Sequence, residues 1–161
     1  PPHESLLLGG RESRSRPGTF NGSINDEDYE TLVATNDGRH AKEDWFAIEV
    51  DKAVTASRIR FMHGRNFHDG GWFDTSAGKP RVQIRQTPDG PWETIGALDR
   101  YPATTTTDAG MLLQPWMSYE FEIALDAPRT LMAVRVIGKP SSGDNPAQSF
   151  ASCTQLQAFL A

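Results

Sequence analysis

The chain has 161 residues, enough for one substantial hydrophobic core and too few for two ordinary domains. With 37% hydrophobic and 23% charged residues, 14 Gly and 11 Pro, it reads as a soluble, turn-rich globular chain rather than a disordered or membrane one, and its turn content favours β over α structure. A formal charge of −5 argues against the broad attraction to phosphate on which nucleic-acid binding rests, and no apolar stretch approaches membrane-spanning length.

The first thirty or so residues have no sustained period. Arg11, Arg14 and Arg16 sit with Glu12 in Ser/Gly/Pro-rich sequence, which predicts a solvated linker rather than a nucleic-acid-binding arm. The following stretch reads as loop and polar turns, with a sequon at Asn21-Gly22-Ser23 and at most a brief helical turn over 29–34.

From Asp44 the pattern becomes strand-like. Phe46, Ile48 and Val50 alternate with Ala47 and Glu49, the period-two signature of a half-buried strand, and Ile59 and Phe61 repeat it against Arg58 and Arg60. Further runs carry Val82 and Ile84, a short WETI, then Tyr119, Phe121 and Ile123, then Met132, Val134 and Val136, and finally Leu156, Ala158 and Leu160. Some seven short strands separated by turns such as Thr-Pro-Asp-Gly at 87–90 predict an all-β fold, an antiparallel β-sandwich. Trp45 and Trp92 fall inside strand patterns and read as core, Trp116 is ambiguous, and Cys153 in an apolar strand reads as a small buried hydrophobe.

Two connections, 64–79 and 138–149, are longer than hairpins require, and long loops on a rigid sandwich are where ligand contacts are usually placed. The richest segment, from His63 to Asp74, runs into the first. Sugar recognition needs flat apolar faces against the C–H side of a pyranose and planar polar groups for its hydroxyls, and this segment offers Phe67, Trp72 and Phe73 beside Arg65, Asn66, His68 and Asp74. The competing reading has Trp72 and Phe73 capping the sandwich while His63 and Asp74 tie down the loop. The second loop offers Asp144, Asn145, Gln148 and Phe150. No G-x-S-x-G, His-Glu-x-x-His or Gly-rich phosphate loop is present, so no catalytic residue is assigned.

The order of these features, an Asn-Asp-Gly turn at 36–38, DWFAIEV, SRIRFMH, a polar loop, RVQIRQTPDGPWETI and a closing SFASCTQLQAFL, resembles the discoidin or coagulation-factor type C superfamily, and especially carbohydrate-binding module family 32. The resemblance covers roughly residues 30–161 and implies a jelly-roll sandwich over 31–161, with 1–30 an N-terminal extension or linker packing on it. It further implies a non-catalytic, monomeric module, secreted, periplasmic or cell-surface with its signal outside these residues, that holds an attached polysaccharide-degrading enzyme to a polysaccharide or oligosaccharide. By the family pattern Arg65 and Asn66 would contact the sugar with His63, Phe67, His68, Trp72 and Asp74 around them, Phe150 would supply an aromatic before the last strand, and His40 and Glu43 would be secondary contacts. Relatives often hold a structural calcium, for which Asn36, Asp37 and Gln155 are the matching positions. The rival readings are a discoidin-like adhesion module for protein or membrane surfaces, expected to expose apolar loop tips or a basic rim, and a structural spacer in a larger enzyme.

Overall fold

The computed structural model describes residues 4–18 and 22–160; Asn21 of the sequon lies outside them. The elements are strands: β1 (Arg11–Arg14), β2 (Val33–Ala34), β3 (Asp44–His63), β4 (Phe73–Asp74), β5 (Arg81–Arg85), β6 (Glu93–Ala97), β7 (Glu120–Pro140) and β8 (Ser152–Phe159). No helix occurs among the described residues, and 29–34, expected as a possible helical turn, ends instead in β2.

The architecture turns on two long antiparallel partners, β3 of 20 residues and β7 of 21. Sequence periodicity divided each into two strands, because the apolar alternation lapses in the middle of both. The backbone nevertheless continues, with register shifts between Glu49 and Val54 and between Ala56 and Arg58. Such irregularities bend and twist a ladder, so each strand can serve both layers. In one layer the first half of β3 lies between β1 and the second half of β7, which continues to β5 and β6. In the other, the second half of β3 lies between the first half of β7 and β8, which continues to β2.

The two layers meet through their alternate apolar residues. Phe46, Ile48, Ile59, Phe61, Val82, Ile84, Val134, Val136 and Leu156 are fully buried. Phe46 meets Phe61 across the core at 6.3 Å, and a chain of tilted and edge-on rings runs on through Phe73 and Tyr101 to Phe121. The Tyr101 hydroxyl accepts from the Phe73 amide at 2.9 Å, and burial pushes its ionisation well above the ordinary range. Cys153 is buried, and desolvation raises its thiol pKa likewise.

Two expectations are corrected. Residues 11–14 are not solvated linker: they pair with β3 from Arg11 against Glu49 to Arg14 against Phe46, and Leu7 and Ile24 on either side are fully buried in the core. Trp45 and Trp92 are half-buried on the outer face rather than core, with the Arg135 guanidinium 5.8 Å from the first ring and 4.3 Å from the second.

Candidate functional site

The two long loops interlock at one end of the sandwich. Gly71 N–H donates to the Phe150 carbonyl at 3.0 Å, Trp72 N–H to Ser141 Oγ at 3.1 Å, Asp144 N–H to the His68 carbonyl at 2.8 Å and Gln148 Nε2 to the Asp69 carbonyl at 2.9 Å. The approach is close enough to dictate glycine: at Gly143, with φ +57°, a Cβ would sit 2.1 Å from the His68 carbonyl oxygen. Gly70 likewise leaves room for the Phe150 ring, which a Cβ would meet at 2.8 Å.

A third segment, 103–118, completes this end and was not singled out by sequence. Its Thr105 carbonyl accepts from Trp72 Nε1 at 2.8 Å, its Thr106 carbonyl from the amides of Ser142 and Gly143 at 2.9 and 2.7 Å, and its Leu113 carbonyl from Asn66 Nδ2 at 2.7 Å. The segment ends in Trp116, 60% exposed and held at φ +65°, a conformation costly for a bulky residue. Its ring stands edge-on to Phe67 at 5.1 Å. Together they wall a cavity of about 470 Å³ that also takes in His68, Trp72, Asp108 and Leu113.

A second cavity of about 540 Å³ borders Asp144 and is lined among others by His40, Thr106, Thr107 and Lys139. His68 Nδ1 and the Asp144 carboxylate, 2.9 Å apart and both exposed, join the two walls. Hydrogen bonding to Asp144 raises the His68 pKa above its ordinary value.

The residues proposed from sequence divide sharply. Trp72 and Phe150 are 4% and 3% exposed, so neither presents the stacking face expected of it; Phe150 instead supports Phe67 from 6.0 Å. His63 and Asn66 are also buried: His63 Nε2 lies 2.8 Å from Asn66 Oδ1, and with Asn66 Nδ2 donating to Leu113 this fixes His63 as the Nε2–H tautomer and ties the end of β3 to the Trp116 segment. Desolvation lowers the His63 pKa to about 4, so its ring is neutral at pH 7. Asp74 is buried, with Ser76 N–H at 2.8 Å and Lys139 Nζ at 3.2 Å. Arg65 is half-buried and its Nε has no partner. Glu43 is exposed and pairs with Arg81 at 2.6 Å, while His40 Nε2 bonds the Pro146 carbonyl. Of the expected sugar contacts, Phe67 and His68 border the first cavity with accessible surface, and His40 borders the second.

Two of the three positions expected to hold calcium, Asp37 and Gln155, are engaged by other partners. Asp37 accepts from Arg16 Nη1 at 2.7 Å and from the Arg39 amide at 3.1 Å. Burial alone would raise its pKa, but these bonds and the nearby guanidinium leave it lowered. Gln155 is buried elsewhere, its amide nitrogen on Asp26 Oδ1 at 2.8 Å and its oxygen on the Glu27 amide at 3.2 Å. Positive charge beside Asp37 is already supplied by Arg16, and among the described residues no cluster of three His, Cys, Asp or Glu could hold a metal.

No protein-family model and no curated protein sequence matches the chain. Solved structures do resemble it. The family 32 carbohydrate-binding module of NanJ from C. perfringens, in complex with galactose, superposes with a TM-score of 0.62 at 15% identity, covering 92% of each chain. A family 32 module from Clostridium perfringens in complex with GalNAc-β-1,3-galactose gives 0.63 at 9% identity, over 93% of this chain and 94% of that one. Chitosan-binding module 1 of a chitosanase/glucanase from Paenibacillus sp. IK-5 gives 0.61 at 17% identity, over 98% and 99%. The chain thus has the β-sandwich fold of these modules over nearly their whole length.

Proposed function

We propose that this chain is a non-catalytic carbohydrate-binding module whose sugar site is the cavity between Phe67 and Trp116. The observation that carries the reading is the exposed, conformationally constrained Trp116 ring beside an open cavity with polar groups at its edge. An indole at such a place gives a pyranose an apolar face to cover, and His68 and Asp108 can pair its hydroxyls. The shared fold supports the reading, since the similar structures include modules in complex with galactose and with GalNAc-β-1,3-galactose. One of them derives from a chitosanase/glucanase, which supports an attached polysaccharide-degrading enzyme for this chain.

Retardation in native gels containing galactan, chitosan or other polysaccharides, followed by a glycan array, tests the proposal. Retardation by at least one polysaccharide, reduced in Trp116→Ala, is the expected result; an empty array and unretarded migration would overturn it.

One observation favours a second reading, adhesion to a membrane surface. Met111, Leu112 and Met117 are 89%, 72% and 54% exposed beside Trp116, an apolar loop tip of the kind such a module would insert. Co-sedimentation with phosphatidylcholine vesicles, lost on Leu112→Ser, would support it over sugar binding.

A further inference from the structure

Building on the sugar reading, we infer that the ligand is an oligosaccharide of at least two linked units, one stacked in the Trp116 cavity and the next held in the cavity beyond the His68–Asp144 pair. The two cavities are neighbours by construction. Residues 106 and 107 line the second, and residues 108–110 continue directly into the first. His68 belongs to one wall and Asp144 to the other, and the two are hydrogen-bonded at 2.9 Å. At about 470 and 540 Å³, each falls within the range of roughly 300–1,000 Å³ usual for small-ligand sites.

Their chemistries differ in a way that assigns the two units. The first cavity has Phe67, Trp72 and Trp116 and is built for an apolar ring face. The second has no Phe, Tyr or Trp in its lining; Thr107, Lys139 and Asp144 are exposed there, and Lys139 is anchored by the buried carboxylate of Asp74 at 3.2 Å. Without an aromatic ring it offers no stacking face; Ala41, Pro140 and Pro146 give apolar contact there, and the polar groups beside them pair hydroxyls. A linkage between the units passes over His68 and Asp144, whose remaining donor and acceptor capacity faces solvent. A single sugar gains only the first cavity's stacking and hydrogen bonds, whereas a linked pair adds the second cavity's contacts without a second loss of translational freedom.

Calorimetry with galactose, GalNAc-β-1,3-galactose, glucosamine and chitosan oligomers of two to four units tests this, together with any glycan the array selects and its terminal monosaccharide. The expected result is that within one series the dimer binds at least tenfold tighter than its monomer. Thr107→Tyr and Ala41→Tyr fill the second cavity from different segments. Either one that retains the parent melting temperature should reduce dimer affinity to the monomer level and leave monomer binding unchanged. Equal affinity of monomer and dimer, or a dimer advantage that survives both substitutions, overturns the two-cavity assignment while leaving sugar binding standing. Absence of binding by every sugar overturns the sugar reading itself, and this one with it.

Discussion

Arg16 forms a bidentate pair with Asp44, Nε to Oδ1 at 2.9 Å and Nη2 to Oδ2 at 2.6 Å, and the Asp44 carboxylate is fully buried. The remaining guanidinium hydrogens reach Asp37 Oδ1 and the Arg39 carbonyl at 2.7 Å each and the Ser149 carbonyl at 2.6 Å. Ser15 and Thr35 donate their hydroxyls to the same Asp44 carboxylate at 2.7 and 2.8 Å. One cation thus gathers the N-terminal segment, the 36–39 turn, the start of β3 and the loop before β8.

The first prediction follows from that geometry. Arg16→Ala leaves Asp44 buried without its counter-charge, and breaking a buried pair from one side typically costs about 3–5 kcal/mol. Arg16→Lys keeps the charge but not the fork and should recover only part of the loss. Thermal unfolding checks both, and the parent should melt at the same temperature with and without EDTA, since Arg16 supplies the charge beside Asp44. A lower melting temperature in chelator would show that a cation contributes after all.

Aromatic residues at the site end should separate into two groups. Trp72→Ala and Phe150→Ala empty buried volume and should cost about 3–5 kcal/mol of stability. Trp116→Ala removes an exposed ring, so its stability should stay within roughly 0.5 kcal/mol of the parent. Binding of the retarding polysaccharide should nevertheless fall by about tenfold to a hundredfold, the equivalent of burying one large apolar side chain. Denaturation in urea and calorimetry on the same three variants provide both readouts. Parent-like binding by a folded Trp116→Ala would place the site elsewhere.

Much of this was legible in the residues and some was not, for physical reasons. Period-two alternation located Phe46, Ile48, Val82, Ile84, Val134 and Val136, because a strand with one buried face must write that face into every second position. The continuity of β3 and β7 was hidden because the middle of each leaves the core, as at Asp51–Ala53 and Asp126–Pro128, where the side chains are exposed. β1 was hidden because Arg-Glu-Ser-Arg has no apolar alternation; its place is set by pairing with β3 and by the Arg11 bond to Glu49 at 2.7 Å. Loop length drew attention to 63–74 and 138–150, which meet at one end of the sandwich. It could not show which aromatics fold under: Trp72 goes inside because its N–H finds the Thr105 carbonyl, while Trp116, in an equally apolar run, is turned outward by a backbone conformation that no residue pattern announces.

The last prediction concerns acid. His63 is fully buried, with Nε2 committed to Asn66 and Nδ1 without a partner, and its pKa is lowered from 6.5 to about 4, chiefly by desolvation. In the unfolded chain the ring titrates near its ordinary 6.5, so between pH 6.5 and about 4 the unfolded state binds the proton that the native state does not. Stability therefore falls as pH drops through this window, by up to about 1.4 kcal/mol per pH unit from this one group, and the loss levels off below the folded pKa. Above pH 6.5 the group contributes no slope. Because the same imidazole holds Asn66, and Asn66 holds the Leu113 carbonyl, the segment bearing Trp116 should loosen along with it. Urea denaturation of parent and His63→Gln across pH 4–8 measures the difference: the variant should be less stable at pH 8, where it loses packing, but should lack most of the slope between 6.5 and 4. Hydrogen exchange at the amides of residues 111–117 should rise in the parent over the same interval. A parent and variant with parallel stability curves would mean that His63 is not the group that makes this fold sensitive to acid.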